Sequence, residues 1–112
     1  MVPKNLTAAA IRPIVLAILN HGAGYGYELS QRIQYISDGA LEWNAGTLYP
    51  LLHRLETENL IESFWQASDS GPRRKYYRLT AKGKKAVNTE KSQWMTVHNV
   101  LLKLWQPEVS FA

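Results

Sequence analysis

From residue 44 to residue 57 the apolar positions follow a helical rhythm, with Leu48, Leu51, Leu52 and Leu55 at i, i+3, i+4 and i+7. These leucines mark one buried side. At about 100° per residue, Gly46, Tyr49, Pro50, His53 and Thr57 share the opposite side, with Thr47 and Arg54 on a flank. A solvated face ordinarily carries Glu, Lys and Gln. Small groups, hydroxyls, an aromatic ring and an imidazole suit contact with another surface, so this stretch reads as a recognition helix. Asn44 can cap its start, in which case Pro50 removes one internal hydrogen bond. A start at Thr47 instead places Pro50 harmlessly in the first turn.

Around this element the patterning changes several times. Residues 1–7 carry little pattern and are expected to form a loose arm. Residues 8–19 are apolar nearly all round, as in a helix buried on more than one side. Pro13 implies either a helix start near Ala10 or a kink. His21-Gly22-Ala23-Gly24 ends that helix. A second helix is predicted over 25–36, burying Leu29, Ile33 and Ile36. Ser37-Asp38-Gly39 breaks it, and Leu41-Glu42-Trp43 alternates as a very short strand would. After the leucine-bearing helix, Asn59 suits a left-handed closing residue. The period then shifts to that of strands in residues 60–66 and 73–79, joined by the turn chemistry of Ser68-Asp69-Ser70-Gly71-Pro72. Together they predict a β-hairpin with a polar tip. Thr80 caps a last helix from 81 to about 105, which Gln106-Pro107 stops.

Composition narrows the function classes. At 112 residues, 46% of them hydrophobic, the chain can bury a real core as one domain. It has no cysteine, which excludes disulfides, thiolate metal sites and a cysteine nucleophile. No apolar run approaches the roughly 20 residues of a membrane span, and no signal-peptide pattern opens the chain, so a cytoplasmic protein without a membrane partner is expected. His21, His53 and His98 lie singly in different elements, with no HExxH, no nucleophile elbow and no paired acids. An enzyme is therefore not expected, nor is a metal or another cofactor. Gly24-Tyr25-Gly26 follows a helix rather than a strand and lacks the spacing of a phosphate-binding loop. The net charge of +4 favours an acidic partner. Its clearest concentration is Arg73-Arg74-Lys75 beside the hairpin tip, where strand alternation sends Arg73 and Lys75 to one face and Arg74 to the other.

Helix, helix, helix, hairpin, long helix is the order of a winged helix-turn-helix, an α+β fold that is mostly α, with a long C-terminal helix. Here Tyr25-Gly26-Tyr27-Glu28-Leu29, then Gly46-Thr47-Leu48-Tyr49-Pro50-Leu51-Leu52-His53-Arg54-Leu55-Glu56, then Leu60-Ile61 appear in turn. Gly71-Pro72-Arg73-Arg74-Lys75-Tyr76-Tyr77-Arg78-Leu79-Thr80-Ala81-Lys82-Gly83 follows. This succession closely resembles the PadR family of bacterial transcriptional regulators, in its smaller type with a single helix after the wing. The expected organisation is a DNA-binding unit over 8–80 and a dimerisation helix over 81–106 within one compact domain.

An α-helix fits the major groove, with its N-terminal part against the base edges. That puts Asn44, Gly46, Thr47, Tyr49, Pro50 and His53 at DNA, unless Tyr49 and Pro50 pack instead on the hairpin or the second helix. The first turn offers no outward Arg or Gln for bidentate base readout, so direct readout should be modest. The resemblance implies a phosphate-contacting wing at Gly71, Arg73, Arg74 and Lys75. Tyr76 and Tyr77 split between faces, one for the core and one free to bond a phosphate, the latter taken as Tyr77.

On the last helix Trp94, Val97, His98, Leu101 and Trp105 belong to a broad apolar stripe that also takes in Val87, Leu102 and Leu104. A long terminal stripe with two tryptophans suits pairing with a second copy, and the family resemblance implies a homodimer through this helix and the first. An inverted-repeat operator in double-stranded DNA would follow. Trp94 either bounds a slot for a small aromatic effector or is simply a packed interface residue. The function expected is a dimeric, sequence-specific DNA-binding regulator, a repressor released by such an effector. The alternative is a winged-helix module that binds protein without DNA.

Overall fold

The computed structural model describes residues 2–111. Its first helix, α1, spans Lys4–His21 and so takes in most of the segment expected as a loose arm. Met1, also assigned to that arm, lies outside the described residues. The helix opens early because the Thr7 N–H donates to the Pro3 carbonyl at 3.0 Å, closing a first turn that no capping side chain announces. Pro13 therefore sits in the helix interior, where it leaves the Ala9 carbonyl without its ladder donor. Ile11, Val15, Leu16 and Leu19 form the buried side.

Next come β1, the two residues Gly24–Tyr25, and α2, Gly26–Ile36. Leu29 and Ile33 are buried as predicted, whereas Ile36 is 73% exposed. The helix ends at Ile36, where the chain turns away with Asp38 at φ 52° and the Gly39 N–H bonded back to Gln34 at 2.8 Å. Residues 41–43 form no strand; Trp43 enters the core from an irregular segment instead.

Asn44 settles the start of α3, Ala45–Thr57, because its Oδ1 accepts the Thr47 N–H at 3.1 Å. Pro50 is thus inside the helix, at the cost of one bond. Asn59, at φ 62°, ends α3 in a left-handed cap, with Asn59 N–H bonded to Glu56 and Leu60 N–H to Leu55.

The hairpin consists of β2, Ile61–Ser68, and β3, Gly71–Leu79, with a register irregularity between Gln66 and Ser68. Both strands run closer to the tip than their composition suggested. β1 adds to the far edge of β3, giving an antiparallel sheet ordered β1-β3-β2 in which Tyr25 pairs with Tyr76 and Phe64 with Tyr76. The core fills the space between this sheet and the first three helices, with Leu16, Leu29, Ile33, Leu52 and Leu55 wholly shielded.

Helix α4, Ala81–Leu104, begins at Thr80, whose Oγ1 accepts the Gly83 N–H at 3.0 Å. Gly83 is buried because α4 approaches the Leu60 carbonyl closely there, and Ala86 and Val87 pack on the core. From Lys91 onward every described residue is exposed. The helix consequently projects: the radius of gyration is 16.6 Å, against about 13 Å for a compact chain of this length.

Candidate nucleic-acid interface

Because Leu48, Leu51, Leu52 and Leu55 are 4% exposed or less, α3 has one fixed orientation. Asn44, Gly46, Thr47, Tyr49, Pro50 and His53 all lie exposed on the other side. Two of them also have structural partners. The Asn44 carbonyl oxygen is committed to the cap, which leaves its amide N–H groups to face outward. The Tyr49 ring rests over Gly26 so closely that a Cβ at that position would overlap its outer end. Tyr49 nevertheless keeps 46% of its surface open. Packing on α2 and exposure on the outer face, set against each other in the sequence, both occur here.

The wing cations divide as strand alternation requires. Lys75 turns inward toward α3, with Nζ 3.4 Å from Glu56 and 5.5 Å from the centre of the Tyr77 ring. Glu56 is steadied by the Ser63 hydroxyl, which donates to it at 2.9 Å. Arg73 shares the strand parity of Lys75 and is exposed, as is Gly71. Arg74 lies on the outer face, its guanidinium 4.5 Å from the centre of the Tyr25 ring.

Tyr77 is a correction to the expected DNA-facing set. It is 4% exposed, on the inner side of the sheet with Leu79 and opposite Ser63. Burial pushes its phenol above the ordinary tyrosine value, and the nearby Glu56 carboxylate adds to the effect. It remains a neutral core residue. Tyr76, on the outer side, is half-buried between Tyr25 at 5.3 Å, edge to face, and Phe64 at 5.6 Å, stacked.

Two features had escaped the sequence. Tyr25 joins the wing through β1, a strand too short to show a period. Arg12 on α1 donates two hydrogen bonds to Glu58, at 2.9 and 3.2 Å, and one to Glu90 on α4 at 3.3 Å. Lys82 also donates to the Glu58 carbonyl at 3.0 Å. Cations thus collect at the C-terminal end of α3, where its dipole favours them. The Arg12 hydrogen bond holds the Glu58 carboxyl below the usual glutamate range.

On α4, Trp94 is 40% exposed, Val97 55%, Leu101 37% and Trp105 68%, and His98 is open beside them. A cleft of 210 Å³ runs between α1 and α4, lined by Pro13, Leu16, Ala17, Val87 and Trp94, with Glu90 and Lys91 at its edge. A larger groove of 860 Å³ separates α1 from α2, with Ile14, Ala17, Ile18, Tyr35 and Ile36 along its apolar wall. Among the described residues no cluster of His, Asp or Glu is placed to hold a metal ion, and no helix is long and apolar enough to cross a membrane.

A three-helix core closed by a hairpin, with its third helix bare on one side and basic residues on the adjoining strand, is a winged helix-turn-helix. Residues 15–89 match the Transcriptional regulator PadR-like family. The chain is 36% identical over 88 residues to the transcriptional regulator Rv3488 of Mycobacterium tuberculosis, covering 79% of this chain and 78% of that protein. A PadR-like transcriptional regulator from Bacillus cereus superposes with a TM-score of 0.81 at 33% identity, over 94% of this chain and 100% of the other. A transcriptional regulator from Clostridium thermocellum gives a TM-score of 0.84 at 28% identity, over 95% and 100%. The protein belongs to the PadR-like family of transcriptional regulators.

Proposed function

We propose that this regulator binds double-stranded DNA as a homodimer, with α3 in the major groove and the wing along the flanking backbone. The observation that carries the reading is the Lys75–Glu56 contact, which ties the basic strand of the wing to α3 and so fixes two candidate DNA-contacting elements in one unit. Within it, Gly46, Thr47, Tyr49, Pro50, His53 and the free amide of Asn44 face the bases, while Gly71, Arg73 and Arg74 serve the phosphates and Lys75, expected among them, is taken up by Glu56 and braces the wing. Phosphate contacts set position and affinity without reading sequence. With few strong base-reading groups on α3, half-site spacing and DNA shape carry much of the specificity.

Dimerisation is supported by what α4 leaves uncovered. Val97, Leu101, Leu104 and Trp105 lie exposed on a helix end that touches no core. A contiguous exposed apolar face of this kind marks a surface that gains by being covered. A second copy supplies both the cover for this face and an apolar wall, between α1 and α2, for it to rest against. Two such chains related by a two-fold axis present their α3 helices about 34 Å apart, one turn of an inverted-repeat operator. The cleft beside Trp94 provides the seat for a planar apolar effector whose binding shifts that spacing and releases DNA, as in a repressor.

The test is fluorescence anisotropy on duplex DNA from upstream of its own gene, across a salt series. Neutralised phosphates release counterions, so affinity must fall steeply as salt rises. Binding that is indifferent to salt, or no binding at low salt, would refute the proposal.

A further inference from the structure

Arg74 and Arg78 flank Tyr76 on the outer face of β3, two residues to either side. Each lies diagonally over a ring of a neighbouring strand: Arg78 4.6 Å from the centre of Phe64, and Arg74 4.5 Å from the centre of Tyr25. The pair differ in one respect. Arg78 is neutralised by Glu62, Nε to Oε1 at 2.8 Å. Arg74, nearer the hairpin tip, has no carboxylate within ion-pair distance among the described residues. Among the described residues, one arginine over a ring is ion-paired and the other has no carboxylate partner.

A guanidinium stacked on a ring keeps its N–H edges free and loses less rotamer freedom when it binds than an unsupported side chain does. Its supporting ring comes from a distant part of the sequence. Tyr25 reaches Arg74 because β1 pairs with β3, Tyr25 opposite Tyr76. The next residue, Gly26, is the floor under Tyr49 of α3. One dipeptide therefore sets the position of a wing cation and of a residue on the outer face of α3.

We propose that Tyr25 is a positioning residue for DNA binding: its ring holds the Arg74 guanidinium ready for a backbone phosphodiester. The inference rests on the DNA-binding reading above and adds a residue from outside both the helix and the hairpin.

Since phosphate contacts act on all sequences alike, the test needs no known operator. The full-length protein, Tyr25→Leu, Tyr25→Phe, Arg74→Ala and the Tyr25→Leu/Arg74→Ala pair are titrated onto a fluorescein-labelled mixed-sequence duplex over a salt series. Arg74→Ala is expected to lower the slope of log affinity against log salt by about one. Tyr25→Leu should weaken binding about three-fold, the pair should bind no worse than Arg74→Ala alone, and Tyr25→Phe should restore wild-type affinity. Losses that add in the pair, or a Tyr25→Leu protein that binds like wild type, overturn the proposal. If circular dichroism shows that Tyr25→Leu does not fold, Arg74→Lys decides the matter. It keeps the charge without the flat stacking group, so the salt slope should hold while affinity drops; unchanged affinity overturns the proposal. A wild-type protein with no salt-dependent binding would instead remove the DNA-binding reading itself, and this inference with it.

Discussion

Replacing Gly83 with alanine adds one methyl group to the first turn of α4, and helix propensity alone would make the change stabilising by about 1 kcal/mol. The structure reverses the sign. A Cβ at Gly83 would overlap the Leu60 carbonyl oxygen, with the Leu60 carbonyl carbon 3.0 Å away and Leu79 Cδ2 at 3.1 Å. That oxygen belongs to backbone, so it cannot swing aside as a side chain would. It also accepts the Thr80 N–H at 3.1 Å, while the Thr80 hydroxyl donates chiefly to the neighbouring Asn59 carbonyl at 2.7 Å, and Thr80 is the residue that caps α4. A backbone shift forced by overpacking costs about 1–3 kcal/mol, and each weakened hydrogen bond adds about 1 kcal/mol. The net expectation is a loss of about 2 kcal/mol. Urea unfolding followed by circular dichroism, with every variant at the same protein concentration, should show the midpoint lowered by about 1–2 M with the slope unchanged. Gly71→Ala is the control, since its Cβ would meet only Ser68 Oγ, at 4.0 Å; it should stay within about 0.5 kcal/mol of wild type. A Gly83→Ala midpoint at or above wild type would show that α4 does not seat on Leu60.

Gly26→Ala tests the link between α2 and α3. The added Cβ meets the outer end of the Tyr49 ring, which can swing away, so thermal stability should change little while DNA affinity falls; equal affinity would mean that DNA does not use Tyr49 as placed. The Glu58 carboxyl titrates lower in the folded protein than its ordinary 4.5. Its contribution is therefore complete above that pH and is lost as pH falls through the lower folded value. Glu58→Gln should be less stable at neutral pH and lose less stability than wild type on acidification, and parallel acid limbs in urea unfolding would contradict the Arg12 bond. Leu101→Glu places a charge on the exposed face of α4 and should give a monomer in sedimentation velocity; an unchanged dimer would move the interface elsewhere. Planar aromatic compounds should quench tryptophan fluorescence in wild type and not in Trp94→Ala, whereas equal quenching in both would empty the proposed slot.

The parts legible in the sequence are those whose signal is local. Four leucines at helical spacing oriented α3, Asn59 could take a left-handed cap, and Thr80 could open α4, because each rests on residues within a turn of one another. Tyr77 went astray because alternation fixes that Tyr76 and Tyr77 part company without saying which goes inward. The signal was two residues on: Leu79 shares the parity of Tyr77 and needs the core. Ile36 failed for a related reason, since periodicity cannot show that the core ends one turn before the helix does. The start of α1 rests on a backbone bond to Pro3 with no capping side chain to read. No local pattern could have joined Arg12 to Glu58 and Glu90, 46 and 78 residues away, or placed Tyr25 under Arg74. These are products of tertiary packing.

If two copies grip DNA with their α3 helices one turn apart, the bound sequences and the protected backbone must both show it. Selection of bound sequences from a random duplex library, followed by hydroxyl-radical footprinting of the winners, tests it most directly. The expected result is an inverted repeat with half-site centres about 10 base pairs apart and protected backbone extending outward from each half-site where the wings lie. Enrichment of a single unpaired half-site, or no enrichment over the starting library, would contradict it.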